Sequence, residues 1–161
     1  MSELIFIRHG QASFGRGDYD ILSERGREQS LLIAEYLINT CVSFDRAYSG
    51  TLKRQVDTAE AILDYMRANT AGIPGLIRTE GLNEYQSEGI MHHYVTLLAQ
   101  EDSSLHPLIE KMYTDKRAFQ HVFDRVMTRW LSDDSEPEGV EGWNMFKERV
   151  GDSIKHITGE N

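Results

Sequence analysis

Three strand-like stretches of this chain end in residues that are poor core formers and capable handlers of a phosphoryl group. Leu4-Ile5-Phe6-Ile7 runs into Arg8-His9-Gly10. Phe44-Asp45-Arg46-Ala47-Tyr48-Ser49 runs into Gly50-Thr51, with Arg54 just beyond. Leu76-Ile77-Arg78-Thr79 runs into Gly81-Leu82-Asn83-Glu84. Two guanidinium groups, planar, permanently charged and able to bond in pairs, suit phosphoryl oxygens. A neutral imidazole can attack phosphorus and carry the group covalently. A carboxylate can protonate the leaving oxygen and later take a proton from water. Taken alone, Arg8 and His9 are equally explained as polar turn residues, and Arg54 as a solvated surface arginine. A cation in the first turn of a helix is nevertheless unfavourable unless an anion binds there.

The elements that would position these groups follow from periodicity. Leu4–Ile7 reads as a short strand buried on both faces, the kind found in parallel sheets, whose carboxyl ends face ligands in open α/β folds. Ser23 is a predicted N-cap, with Glu24 in the first turn, for a helix over residues 23–39 whose buried stripe is Leu31, Ala34 and Ile38. Gly26 marks a close backbone approach. A second helix starts near Leu52 and buries Val56, Ala59, Leu63 and Met66. Residues 86–101 form a third helix, residues 115–131 (Phe119, Val122, Phe123, Val126, Trp130) a fourth, and Trp143, Phe146, Val150, Ile154 and Ile157 mark a last one stopped at Gly159. Gln11–Asp20 and Ser132–Gly139 read as loops. The alternation predicts an α/β fold, a three-layer sandwich whose mostly parallel sheet is flanked by helices, in one domain over residues 1–161. The final helix has no strand after it, which reads as an incomplete C-terminus.

Hydrophobic residues make up 40% and charged residues 27% of the 161, as in ordinary globular proteins, and the net charge is −9. That balance argues against nucleic acid and anionic membranes as partners. The single cysteine, Cys41, excludes an intrachain disulfide and fits a reducing, cytoplasmic setting; it reads as a small buried hydrophobe. No apolar run reaches membrane-spanning length. The adjacent His92 and His93 point apart on a helix and make a poor metal pair; with His106, His121 and His156 they read as surface or structural.

Four motifs in order resemble one family. Leu4-Ile5-Phe6-Ile7-Arg8-His9-Gly10 matches the strand and RHG motif of the histidine phosphatase superfamily, also called phosphoglycerate-mutase-like. Leu22-Ser23-Glu24-Arg25-Gly26-Arg27-Glu28-Gln29 matches its L-[ST]-x-x-G-x-x-Q helix. Ser49 to Ala59 is similar to S-x-x-L-x-R-x-x-Q-T-A, and Leu82-Asn83-Glu84 to L-x-E. The resemblance runs from Leu4 to about Ile157. It implies a phosphohistidine at His9, an acid–base Glu84, phosphate contacts from Arg8, Arg54, Gln11 and Ser13, no metal and no cofactor. The chain departs from the pattern at Asp57, in place of the usual glutamine, at Gly15, in place of asparagine, and in lacking the G-x-W-x-G stretch after Glu84. The family's second histidine would fall, by spacing, beyond Asn161.

Three functions are open at this level. One is hydrolysis of a small phosphate monoester through phospho-His9, favoured over mutase-type phosphoryl transfer because the segment between Glu84 and Trp143 is modest. Another is a non-catalytic protein that binds inorganic phosphate or presents an interaction surface. The third is a truncated, poorly active form of the enzyme. The resemblance implies that the missing strand lies beside Leu4–Ile7, and its loss predicts self-association into a homo-oligomer through the exposed sheet edge.

Overall fold

A computed structural model describes residues 3–13, 20–135 and 137–159. The expected Gln11–Asp20 loop, with Gly15, lies largely outside them. The chain forms two compact units, residues 1–84 with 155–161 and residues 85–154.

The first unit is α/β. Helix α1 spans Glu24–Asn39, strand β1 Ala47–Ser49, helix α2 Lys53–Asn69 and strand β2 Leu76–Arg78. β1 and β2 pair in parallel, Ala47 with Leu76 and Ser49 with Arg78, and α2 supplies the crossover that parallel pairing requires. Its core is a helix–helix seam in which Ala34 and Leu37 of α1 meet Ile62 and Met66 of α2.

Ser23 caps α1 by accepting from the Gly26 N–H. The helix ends in a Schellman motif: the Val42 and Cys41 N–H groups donate to the Leu37 and Ile38 carbonyls. Cys41 takes the left-handed position, φ 54°, and is exposed, so it is a helix terminator and not the buried hydrophobe expected.

Two other expectations fail in this unit. Leu4–Ile7 is not a strand, and all four side chains are exposed, Phe6 at 73%. A buried parallel strand needs a hydrogen-bonded neighbour and cover on both faces, and the described sheet has two strands, β1 and β2. An exposed apolar coil therefore stands where a sheet edge was expected. In α1 the buried face runs Gly26, Ser30, Ala34 and Leu37, while Leu31 is 40% exposed. The helix is rotated about one residue from the expected stripe because Gly26 must face the turn at residues 10–12.

The second unit is helical: α3 Ser87–Glu101, the short α4 His106–Lys111, α5 Lys116–Ser132 and most of α6, Trp143–Thr158. Asp115 caps α5 by accepting from the Arg117 and Ala118 N–H groups. Val122, Val126 and Trp130 of α5 pack with Ile90, Tyr94 and Leu98 of α3, and Tyr85, Trp143 and Phe146 close over Trp130. Gly159 ends α6 with φ 74°.

Candidate functional site

The turn at residues 9–12 is held by the start of α1. Ala12 bridges Leu22, and both are buried. The Ser23 hydroxyl donates to the Gln11 carbonyl, 2.7 Å, and Gln29 Oε1 accepts from the Gln11 N–H, 2.9 Å. Gly10 and Gly26 cross so closely that a Cβ on either would strike the other segment's backbone. From the opposite side Thr58 Oγ1 accepts from the Gly10 N–H, 3.0 Å, and donates to the Arg54 carbonyl, 2.7 Å. His9 is thereby tied to α2 as well as to α1.

Glu84 is positioned by the segment before it. Asn83 Oδ1 accepts from the Thr51 N–H, 2.6 Å, and Asn83 Nδ2 donates to Thr51 Oγ1, 2.9 Å. Gln55 Nε2 donates to the Leu82 carbonyl, 2.9 Å, and the Thr79 N–H donates to the Ser49 carbonyl, 2.9 Å. Residues 82–84 thus ride on the turn between β1 and α2.

These constraints bring three predicted residues together. His9 Nδ1 lies 2.7 Å from the Gly10 carbonyl. With the proton on Nδ1, Nε2 keeps its lone pair. Arg54 Nε donates toward His9 Nε2, 3.3 Å, and Arg54 Nη2 donates to Glu84 Oε2, 2.8 Å; Glu84 Oε2 is 3.5 Å from His9 Nε2. Arg54 is buried, and burial opposes its charge. Its bonds to Glu84 and Asp20 more than offset that penalty, and its pKa lies above the ordinary arginine value.

The remaining candidates sit differently. Arg8 is exposed and lines, with His9, Gly10, Ile7, Leu32 and Ile33, a groove of about 360 Å³. Gln11 and Ser13 enter through their backbones, in the pairing with residues 21–23 and with Gln29. Ser49 is buried and its hydroxyl donates to the Gly50 carbonyl. His92, His106, His121 and His156 are exposed, and His106 Nε2 lies 2.9 Å from the Ala99 carbonyl. Among the described residues no cluster of three His, Cys, Asp or Glu is placed to hold a metal, and no helix is long and apolar enough to cross a membrane.

Sequence reasoning missed Asp20. Its Oδ1 accepts from Arg54 Nη1, 2.8 Å, and its Oδ2 from the Lys53 N–H, 2.7 Å. The available signal was the helix α2 itself, which has no capping side chain of its own at Leu52.

A family model described as "Histidine phosphatase superfamily (branch 1)" matches residues 4–103. The 2,3-bisphosphoglycerate-dependent phosphoglycerate mutase of Lactococcus lactis subsp. cremoris (strain MG1363) is 24% identical over 191 aligned positions, covering 98% of this chain and 81% of that protein. The enzyme of the same name from Streptococcus equi subsp. zooepidemicus (strain MGCS10565) is 25% identical over 98% of this chain and 82% of its own length. That from Rhizobium etli (strain ATCC 51251 / DSM 11541 / JCM 21823 / NBRC 15573 / CFN 42) is 39% identical over 52% of this chain and 42% of its own. No solved structure matches.

Proposed function

Because this chain belongs to the histidine phosphatase superfamily, branch 1, we propose that its His9 cluster transfers a phosphoryl group from a small phosphate monoester to water through a phosphohistidine. The observation that carries this reading is the convergence of one guanidinium on both an imidazole nitrogen and a carboxylate, Arg54 on His9 Nε2 and Glu84 Oε2. In the first step the His9 Nε2 lone pair attacks phosphorus and the ester P–O bond breaks. Protonated Glu84 gives its proton to the departing oxygen, and the charge on the phosphoryl oxygens faces Arg54. In the second, ionised Glu84 takes a proton from water as its oxygen attacks phosphorus, and the P–N bond breaks. The Gly10 carbonyl accepts the Nδ1–H bond throughout and supports the positive charge that the ring carries in the intermediate. Arg8 lines the groove beside His9 and is the second cation offered to an incoming dianion.

A second reading is phosphoryl transfer of the mutase type, favoured by the names of the relatives, both phosphoglycerate mutases. Against it, the alignment to the Lactococcus enzyme is longer than the 161 residues here, so that enzyme carries insertions with no counterpart in this chain. The test is incubation with acetyl phosphate and, separately, with 2,3-bisphosphoglycerate, followed by mass spectrometry. The expected product is an acid-labile phosphoryl group on His9, formed from acetyl phosphate and lost to water. Label that persists in His9→Ala would sink the mechanism. Efficient phosphorylation by 2,3-bisphosphoglycerate, with return of the group to a phosphoglycerate, would establish the second reading instead.

A further inference from the structure

We propose that Asp20 is a positioning residue for this reaction, the group that aims Arg54 at His9. The inference rests on the phosphohistidine reading and extends it to a residue outside the motifs that carry the resemblance. An arginine presents two edges. Nε–H and the neighbouring Nη2 form one fork, and Nη1 lies on the far side of the guanidinium. Here the fork faces the nucleophile: Nε is 3.3 Å from His9 Nε2 and Nη2 is 2.8 Å from Glu84 Oε2. The far side is taken by Asp20, whose Oδ1 is 2.8 Å from Nη1.

Asp20 is itself anchored to the backbone that carries Arg54. Its Oδ2 accepts from the Lys53 N–H, 2.7 Å, and its Oδ1 from the Arg54 N–H, 3.3 Å. These are among the first N–H groups of α2, which a capping side chain would ordinarily satisfy, and Leu52 at the cap position makes no such bond. One carboxylate therefore fixes both ends of the same residue, the amide of Arg54 and its guanidinium. Two anchor points are enough to define which edge of the guanidinium points at His9.

The two carboxylates on Arg54 thus have different jobs. Asp20 is locked by two backbone donors. The Glu84 side chain is 39% exposed, and its carboxylate meets Arg54 and His9. An incoming phosphoryl group takes the place of Glu84 on Nη2 and of His9 Nε2 on Nε, so that both fork donors turn to phosphoryl oxygens, the His9 lone pair is freed to attack and Glu84 is released toward the leaving oxygen. Asp20 stays on Nη1.

The test is a double-mutant cycle read by calorimetric titration with inorganic phosphate, with far-UV circular dichroism as the check on folding. Asp20→Ala should weaken phosphate binding about tenfold, the scale of one charge-assisted bond. In an Arg54→Ala background it should change nothing, because Asp20 acts through Arg54. Asp20→Asn keeps an acceptor for the Lys53 N–H but loses the charge on Nη1. It should keep α2 intact and bind phosphate as weakly as Asp20→Ala. Wild-type affinity in Asp20→Asn would make Asp20 a helix cap only and overturn the proposal. Tighter binding in Asp20→Ala, or an equal loss in both backgrounds, would overturn it as well. If Arg54→Ala alone leaves phosphate affinity unchanged, the clamp reading falls and this inference with it; if Arg54→Ala weakens binding and Asp20→Ala does not, the inference alone falls.

Discussion

Gly26→Ala separates two physical effects of opposite sign. Gly26 is the third residue of α1. On helix propensity alone, alanine there would stabilise by up to ~1 kcal/mol. Tertiary packing says the reverse. A Cβ at Gly26 would strike the Gln11 carbonyl oxygen and come within 2.7 Å of Leu22 Cδ1 and 2.9 Å of the Gln11 amide nitrogen. Two of those neighbours are backbone, so no rotamer change relieves the contact, and the turn at residues 10–12 must move away from α1. Overpacking of this kind costs about 1–3 kcal/mol. The net expectation is a loss of roughly 1–2 kcal/mol after the propensity gain. Moving that turn also loads the Ser23 and Gln29 bonds to Gln11 and, through Gly10, the His9 ring. Both tryptophans, Trp130 and Trp143, belong to the other unit, so fluorescence is the wrong probe. Amide hydrogen exchange along α1 should accelerate about tenfold or more for such a loss, and phosphate binding should weaken in parallel. Gly151→Ala, at a helical position where a Cβ meets nothing within 4 Å, serves as the control and should be neutral or stabilising. Slower exchange in Gly26→Ala would refute the close approach.

Glu84→Gln should depress turnover of alkyl phosphates far more than of aryl phosphates, whose leaving oxygens need no proton; equal losses on the two classes would make Glu84 structural. Cys41→Gly should stabilise the first unit by about 1 kcal/mol, since glycine takes the left-handed position without a Cβ penalty, and a drop in the thermal midpoint would contradict this. Burial, together with the Asp133 carboxylate that its hydroxyl donates to, pushes the Tyr94 pKa up to about 12. The unfolded chain ionises first, so stability present below about pH 10 falls by up to about 2–3 kcal/mol as pH rises toward 12. Urea titrations followed by tryptophan fluorescence should show that fall, and it should be absent in Tyr94→Phe. Leu4, Ile5, Phe6 and Ile7 form an exposed apolar stretch. Light scattering should show an average mass that rises with concentration and falls back in Phe6→Glu; a concentration-independent mass equal in both proteins would dismiss self-association through it.

Local order was written in local chemistry. Ser23 announces a cap because its hydroxyl competes for nearby N–H groups, and the spacing of Val56, Leu63 and Met66 buries one side of α2 whatever it packs against. The run Leu22-Ser23-x-x-Gly26-x-x-Gln29 was legible as a pattern, and the structure gives each member its task against the turn at residues 10–12: a bridge, a hydroxyl donor, a close approach and an acceptor. His9, Arg54 and Glu84 could be picked out as chemical types at strand and helix ends. Tertiary structure alone decided the rest, because those outcomes depend on partners far away in the chain. Leu4–Ile7 has the composition of a buried strand, but a strand exists only beside another that takes its hydrogen bonds. Which face of α1 is buried depends on what Gly26 touches, and Leu31 lost its place to Ser30 for that reason. Asp20 in isolation is one acidic loop residue among others. It becomes the anchor of Arg54 only when a contact across 34 residues puts one carboxylate on both the amide and the guanidinium of the same side chain.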